Sequence, residues 1–576
     1  MGIFFVQLSC MKQLFFLLAV CGTLLGACSN AQVKSESGET TEEAAAKKNI
    51  SSRDYSITPS IAYSDLSLDS LALEEYIGTR KVADSIARRM RSFYNTRNYQ
   101  FAWFTTEGLT EQARGFWNLH DYHTTANSHD TVLHDKELAK RMDDLMTAES
   151  LSVKSGDARS INTELTLTQH FIQYMMSEYD GGYVKRKEME RFIPRKKEDA
   201  MYLADSLLNK KHKDNKYFED VHRPYGLLKE QLGKYIQIVK AGGWQPIPSG
   251  TKTLRKGTSN PAVAVVKKRL QITGDLPGAD TSYAFNDSLE TAVRHFQARH
   301  GLKDDGIITT AVIKELNVPA EARLQQLLMN MGRMRWLPPD PAGNLIVVNI
   351  PEFMLHVYEG KNKAFDMVVV VGKQGTNTTS FTGDLNQIVF SPYWNLPSSI
   401  VKNEVLPAME RNPNYLASQN MEIVSDKGDL PTIRQKPGPG NALGKVKFLF
   451  PNSFDIYFHD TPSKSLFERT KRAFSHGCIR LAEPEKMATY LLRNQPEWTP
   501  DRINAAMNAG EEKYVKLKDP VPVVITYYTA WVDDAGRLNF REDIYGHDKR
   551  LASKMFPSSL QQNSPTQKDS MAVAQR

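Results

Sequence analysis

Cysteine is nearly absent from this chain. Of 576 residues only four are cysteine: Cys10, Cys21, Cys28 and Cys478. The first three fall in an N-terminal stretch that reads as a targeting segment. One remaining cysteine excludes an intramolecular disulfide within the folded body, and it excludes a zinc site built from cysteines. Dense Lys/Arg blocks interleaved with aromatics are also missing. That disfavours nucleic acid as a partner, although the formal charge is +7. So modest an excess suits anionic partners in general, a cell-wall polymer or a membrane surface among them. No internal repeat is visible.

What is present is ample. The length calls for three or four domains, and 41% hydrophobic with 24% charged residues is a globular mixture. MKQLFFLLAVCGTLLGAC, from Met11 to Cys28, has a positive Lys12 and then an apolar run from Leu14 to Leu25. It is short for a membrane span and reads as an export signal. Its end, Leu25-Gly26-Ala27-Cys28, resembles the bacterial lipobox, which implies lipidation of Cys28. Ser29, rather than Asp, follows. By resemblance to lipoprotein sorting rules, that disfavours retention at the inner membrane. The polar stretch that continues to about Ser60 reads as a flexible tether.

Residues 61 to about 250 carry apolar residues at helical spacing, as in LALEEYIGTRKVADSIARRMRSFYNTR and TLTQHFIQYMMSEY. KRKEMERF and LLNKKHKDNK read as solvated faces. From Leu254 a smaller module follows, with three helices, a turn at Asp305-Gly306 and a helix N-cap at Thr309. RLQQLLMNMGRMRW adds one more helix. From Leu345 the pattern turns to short strands rich in Val and Ile. It is interrupted between 400 and 445 by a segment rich in Pro, Asn and Gly.

The lone Cys478 sits in AFSHGCIRL. A buried cysteine is usually a small hydrophobe, but Ser475, His476, Gly477 and Arg480 make this setting polar and basic. Cationic neighbours populate a thiolate and so make a nucleophile. A glycine beside it permits close backbone approach, with an N–H free for developing negative charge. Two histidines compete for the role of base: His476, two residues before the cysteine, and His459, at the end of FDIYFH. Spacing alone does not choose between them. The base would need an acceptor on its second nitrogen, from Asp460 or from a backbone carbonyl. A Cys/His pair of this kind suits acyl transfer through a thioester.

HDTPSKSLFERTKRAFSHGCIRL resembles the signature of the L,D-transpeptidase (YkuD-type) catalytic domain, an upstream His followed by Ser/Thr-His-Gly-Cys. The resemblance implies Cys478 as nucleophile and His459 as base. It makes Gly477, His476, Arg480 and Ser475 organisers of the pocket and its oxyanion hole. Tyr457 would flank the pocket. Around Val263, AVRHFQARHGL and Asp305-Gly306, the small module resembles the three-helix peptidoglycan-binding domain. The whole order resembles the long, YcbB-like transpeptidases, in which 400–445 would be a substrate lid with Trp394 and Asn441 as substrate contacts. In such relatives the module inserts within the helical scaffold, and the helix at 323–336 could rejoin it.

The expected fold is multidomain α+β. Its parts are a lipoprotein signal peptide at 1–28, a linker at 29–60, a helical scaffold at 61–250 and the peptidoglycan-binding domain at 251–320. A connecting helix at 321–342, a mostly β catalytic domain at 343–550 and a disordered tail at 551–576 follow. The resemblance implies 3–3 peptidoglycan cross-links made from stem tetrapeptides, with no metal or cofactor, acylation by carbapenems, and a lipid-anchored location in the cell envelope facing the periplasm. Two alternatives share the sequence: the same fold attaching lipoproteins to peptidoglycan or releasing them, and a non-catalytic peptidoglycan-binding lipoprotein.

Overall fold

The computed structural model describes residues 50–126, 132–148, 151–178, 192–208, 223–338 and 343–557. The signal peptide with Cys28, the charged residues of KRKEMERF and LLNKKHKDNK, and the tail NSPTQKDSMAVAQR lie outside them. Within the described residues the architecture is multidomain α+β, with helical domains followed by a mostly β domain.

The scaffold helices bury one stripe each. In Asp84–Asn95 the buried residues are Ile86, Ala87, Met90, Phe93 and Tyr94, the spacing of a single helical face. Asp69 and Asp135 cap the helices that follow them, each accepting a backbone N–H from the first turn. A short hairpin, β1 (Phe104–Thr105) with β2 (Gly108–Leu109), carries Trp103 and Phe104 into an aromatic core. There Phe116, Phe171 and Trp336 pack edge-on or tilted against one another. Ile57 is fully buried, and the Asp54 N–H donates to the Asn95 carbonyl. Residues 50–60, expected as part of a flexible tether, are instead fixed by an apolar anchor and a backbone hydrogen bond.

The peptidoglycan-binding-like module stands on its own core of Val263, Val266, Leu270, Leu289, Val293 and Phe296. Asn260 and Asn286 cap its first two helices. Thr309 occupies the N-cap position of the third without a side-chain hydrogen bond.

The next helix, Ala320–Met334, is more than a connector. Leu324, Leu327, Met331 and Met334 join the scaffold core. On its other side Gln326 and Asn330 donate to the carbonyl and hydroxyl of Thr529. Arg333 pairs with Glu111 of the scaffold and with Asp548 near the C-terminus, each at 2.6 Å. The same core takes in Ala530, Val532, Leu538 and Phe540. These lie on the hairpin of β15 (Ala530–Val532) and β16 (Leu538–Phe540). It also takes in Leu551 and Phe556. The tail expected from residue 551 thus begins inside an ordered helix, His547–Met555, whose apolar side completes the scaffold.

The β domain is a sheet of nine strands among the described residues, ordered β12-β5-β13-β11-β10-β6-β14-β3-β4. A further β4–β5 pairing closes it on itself. The strands are β3 (Asn344–Asn349), β4 (Met354–Glu359), β5 (Asn362–Gly372), β6 (Phe381–Phe390), β10 (Val446–Leu449), β11 (Phe458–His459), β12 (Ala473–Ser475), β13 (Ile479–Leu481) and β14 (Lys513–Thr526). Alternate residues such as Val369, Val371, Ile388, Phe390, Phe458 and Ile479 fill its interior. The interrupting segment starts earlier than residue 400. β7 (Trp394–Asn395) pairs with β9 (Thr432–Gln435), which pairs with β8 (Met421–Ser425). Leu396, Ile400, Val401, Val405 and Ile433 form a separate apolar cluster beneath them.

Candidate active site

Parallel pairing of β11 with β13 builds the site. Phe458 sits opposite Ile479, and His459 opposite Arg480. Phe458 and Ile479 are fully buried in the barrel core. Alternation then turns Tyr457 and His459, with Cys478 and Arg480, onto the opposite face. The Tyr457 and His459 rings meet edge to face at 5.8 Å.

His459 is buried, and its Nδ1 contacts the Asp460 carbonyl at 2.5 Å. With Nδ1–H donating there, Nε2 is left as a proton acceptor. Burial, helped by the charge of Arg480, pulls the imidazole pKa down to about 3. The orienting acceptor is thus the backbone carbonyl. The Asp460 carboxylate instead takes the Lys445 N–H and the Lys464 ammonium.

Cys478 is a free, half-buried thiol whose Sγ donates to the Asp455 carbonyl at 3.5 Å. Burial raises its pKa to about 11, partly offset by the backbone and phenol of Tyr457. Burial and the nearby sulfur also push the Tyr457 phenol up. Both members of the Cys/His pair therefore rest neutral.

A network of hydroxyls holds the nucleophile loop. The Ser475 hydroxyl donates to the Cys478 carbonyl at 2.6 Å and accepts the Gly477 N–H at 3.1 Å. Gly477 has φ of +120°, outside the range an L side chain readily takes. Thr378 Oγ1 donates to the Gly477 carbonyl at 2.7 Å and accepts the Gly372 N–H at 2.9 Å. Tyr545 in turn donates to the Gly372 carbonyl at 2.6 Å and accepts the Thr378 N–H at 3.2 Å.

Three expectations change. The Gly477 N–H already serves Ser475, so the backbone donor left for an oxyanion is that of Cys478. His476 is exposed, and its Nε2 lies 3.3 Å from Glu404 of the lid. It therefore faces the inserted segment that carries Glu404. Asn441 is only 1% exposed. Its amide nitrogen donates to the carbonyls of Pro392 and Lys436, and its oxygen accepts the Leu443 N–H. Its side-chain polar atoms are taken up by backbone; Asn441 anchors the base of the inserted segment. Trp394 is half-buried and packs against the lid's apolar cluster. Arg480 is half-buried, with its Nε buried and unpartnered. Thr378, Tyr545 and Asp455 were missed, because no local motif marks them.

Residues 343–523 match the family model of the L,D-transpeptidase catalytic domain. The chain carries an L,D-transpeptidase catalytic domain. Residues 88–232 match a model described as "Scaffold domain", and 259–316 one described as "Putative peptidoglycan binding domain". The chain is similar to a Haemophilus influenzae protein named "Putative L,D-transpeptidase", at 32% identity over 39% of this chain and 49% of the relative. It thus spans about half the length of that curated relative. Among solved structures it is similar to an L,D-transpeptidase from Mycobacterium smegmatis, at 16% identity, covering 32% of this chain and 59% of that one, with a TM-score of 0.18. It is also similar to one from Stackebrandtia nassauensis, at 12% identity over 48% of this chain and 97% of that one, with a TM-score of 0.21. Superposition at those scores is poor, and the assignment of the transpeptidase domain rests on the family match.

Proposed function

We propose that the protein is an L,D-transpeptidase that forms 3–3 cross-links between peptidoglycan stem peptides through a Cys478 acyl-enzyme. The observation that carries this reading is the shared face of Cys478 and His459, with an imidazole tautomer that leaves Nε2 as acceptor. The transpeptidase domain and the peptidoglycan-binding-like module support the same substrate. They also favour a cell-envelope location facing the periplasm, with the lipid anchor at Cys28 inferred from the sequence alone.

In the first half-reaction the thiol turns from the Asp455 carbonyl towards His459 and yields its proton to Nε2. Sulfur attacks the carbonyl of the third residue of a stem tetrapeptide. The Cys478 N–H faces the oxyanion, and the terminal D-alanine leaves with the proton from His459. The second half-reaction transfers the acyl group from sulfur to an amine of another stem. Burial disfavours the charged form of both thiol and imidazole, which supports proton transfer in step with attack. The lid covers a thioester that water would otherwise hydrolyse.

The test is incubation of the full chain with disaccharide-tetrapeptide, followed by mass analysis of products and protein. Dimers linked through third residues, together with a thioester adduct absent from Cys478→Ala, are expected. Free tripeptide alone, or transfer only to a protein-derived amine, would replace cross-linking with the hydrolytic or lipoprotein-linking alternative. A carbapenem should likewise leave a mass adduct on the wild type and none on Cys478→Ala.

A further inference from the structure

Asp455 meets the nucleophile in an unusual backbone state. Its carbonyl receives the Cys478 thiol at 3.5 Å. Its φ is +53°, in the left-handed region that Asp and Asn tolerate best among non-glycine residues. The loop around it is held firmly by Asn452. That side chain donates to the carbonyls of Phe450 and Ile456 and accepts the N–H groups of Phe454 and Ile456. The Asp455 side chain is exposed, and its carboxylate has neither a hydrogen bond nor an ion pair among the described residues. Its negative charge reaches both Cys478 and Tyr457, where it opposes ionisation.

For the first half-reaction this placement is adverse, since an unpaired anion beside a thiol disfavours the thiolate. The second half-reaction reverses the sign. Once the sulfur is acylated it carries no charge, and the species that must approach is a primary amine, cationic in water. We propose that Asp455 selects the acceptor: its carboxylate holds the incoming ammonium beside the Cys478 thioester. This rests on the transpeptidase reading above. The ammonium passes one proton to solvent water, and the free amine attacks the thioester carbonyl. The C–N bond forms as the C–S bond breaks, and the second N–H proton ends on the Cys478 sulfur. Water, which is neutral, is not drawn in by the charge of the carboxylate as an ammonium is. Asp455 therefore biases the acyl-enzyme towards aminolysis over hydrolysis.

The substitution Asp455→Asn removes the charge and keeps a residue suited to positive φ. The experiment compares 2-aminoethyl and 2-hydroxyethyl methanethiosulfonate, alike in size and different in charge, as modifiers of Cys478 in the full chain. The ratio of cationic to neutral rate should fall about fivefold in Asp455→Asn, as loss of an exposed pair predicts (~1 kcal/mol). Reaction with the neutral reagent should hold or quicken, and Asp455→Glu should restore the ratio. The ratio of cross-linked dimer to hydrolysed tripeptide should fall in parallel. An unchanged reagent ratio, or equal loss with both reagents, overturns the proposal. A wild type that makes no dimers at all sinks the functional reading, while the reagent ratio still decides the role of Asp455.

Discussion

Two histidines flank one cysteine, and they are opposites. His459 is buried, neutral and fixed by a backbone carbonyl; His476 is exposed and reaches across to Glu404 of the lid. The nearer residue in sequence is the farther in role. His476 lies in the loop between β12 and β13 and points to Glu404, while pairing of β11 with β13 brings the distant His459 onto the face of Cys478. The comparison also separates two kinds of support. Buried hydroxyls tie the nucleophile loop to the barrel, whereas His476 meets the inserted segment through an exposed ion pair.

The sharpest break of this comparison is pH. With the thiol near 11 and His459 near 3, alkylation of Cys478 by iodoacetamide should climb about tenfold per pH unit from 7 towards 10. A plateau with a midpoint near 6.5 would mean a preformed ion pair and would erase the distinction between the histidines. Next, His459→Ala should slow acylation by a carbapenem by about a hundredfold or more, within the range of general-base removal. His476→Gln should slow it by less than about fivefold, and equal losses would undo the assignment.

Tyr545→Phe leaves the Gly372 carbonyl and the Thr378 N–H without their partner. It should cost about 1–3 kcal/mol in urea unfolding, with a several-fold drop in acylation. Stability offers a finer measure. An unfolded imidazole titrates near 6.5, and that of folded His459 only near 3. Between those values the unfolded state binds a proton that the folded state refuses, so stability is present above 6.5 and falls as pH drops towards 3. His459→Gln should make that acid slope shallower by up to ~1.4 kcal/mol per pH unit. The smallest effect belongs to Glu404→Gln, where loss of an exposed pair should change acylation by no more than about fivefold.

Much of the site was legible because its chemistry is local. FDIYFHD and AFSHGCIRL each place a reactive residue in a short quoted run, and the resemblance joined them. What was illegible depends on closure of the barrel. Thr378 and Tyr545 lie about a hundred and about seventy residues from Cys478, in segments with no reactive pattern. Asn441 was misread as a substrate contact, because a loop asparagine looks the same whether it faces a ligand or fastens backbone. The three-helix module could be read from its turns and apolar spacing. The resemblance also returned the helix Ala320–Met334 to the scaffold, but its polar contacts could not be read: Arg323, Gln326, Asn330 and Arg333 mimic the polar face of a surface helix, yet each is met by groups from the scaffold, the module or the C-terminal segments.

That shared core has a kinetic consequence. The scaffold helices leave the ribosome first, but the side chains that finish their packing, Phe540, Leu551 and Phe556, leave among the last. Contacts so distant in sequence close slowly, and vectorial synthesis delays them further. The scaffold core is therefore complete only when the side chains of that last ordered helix are in place.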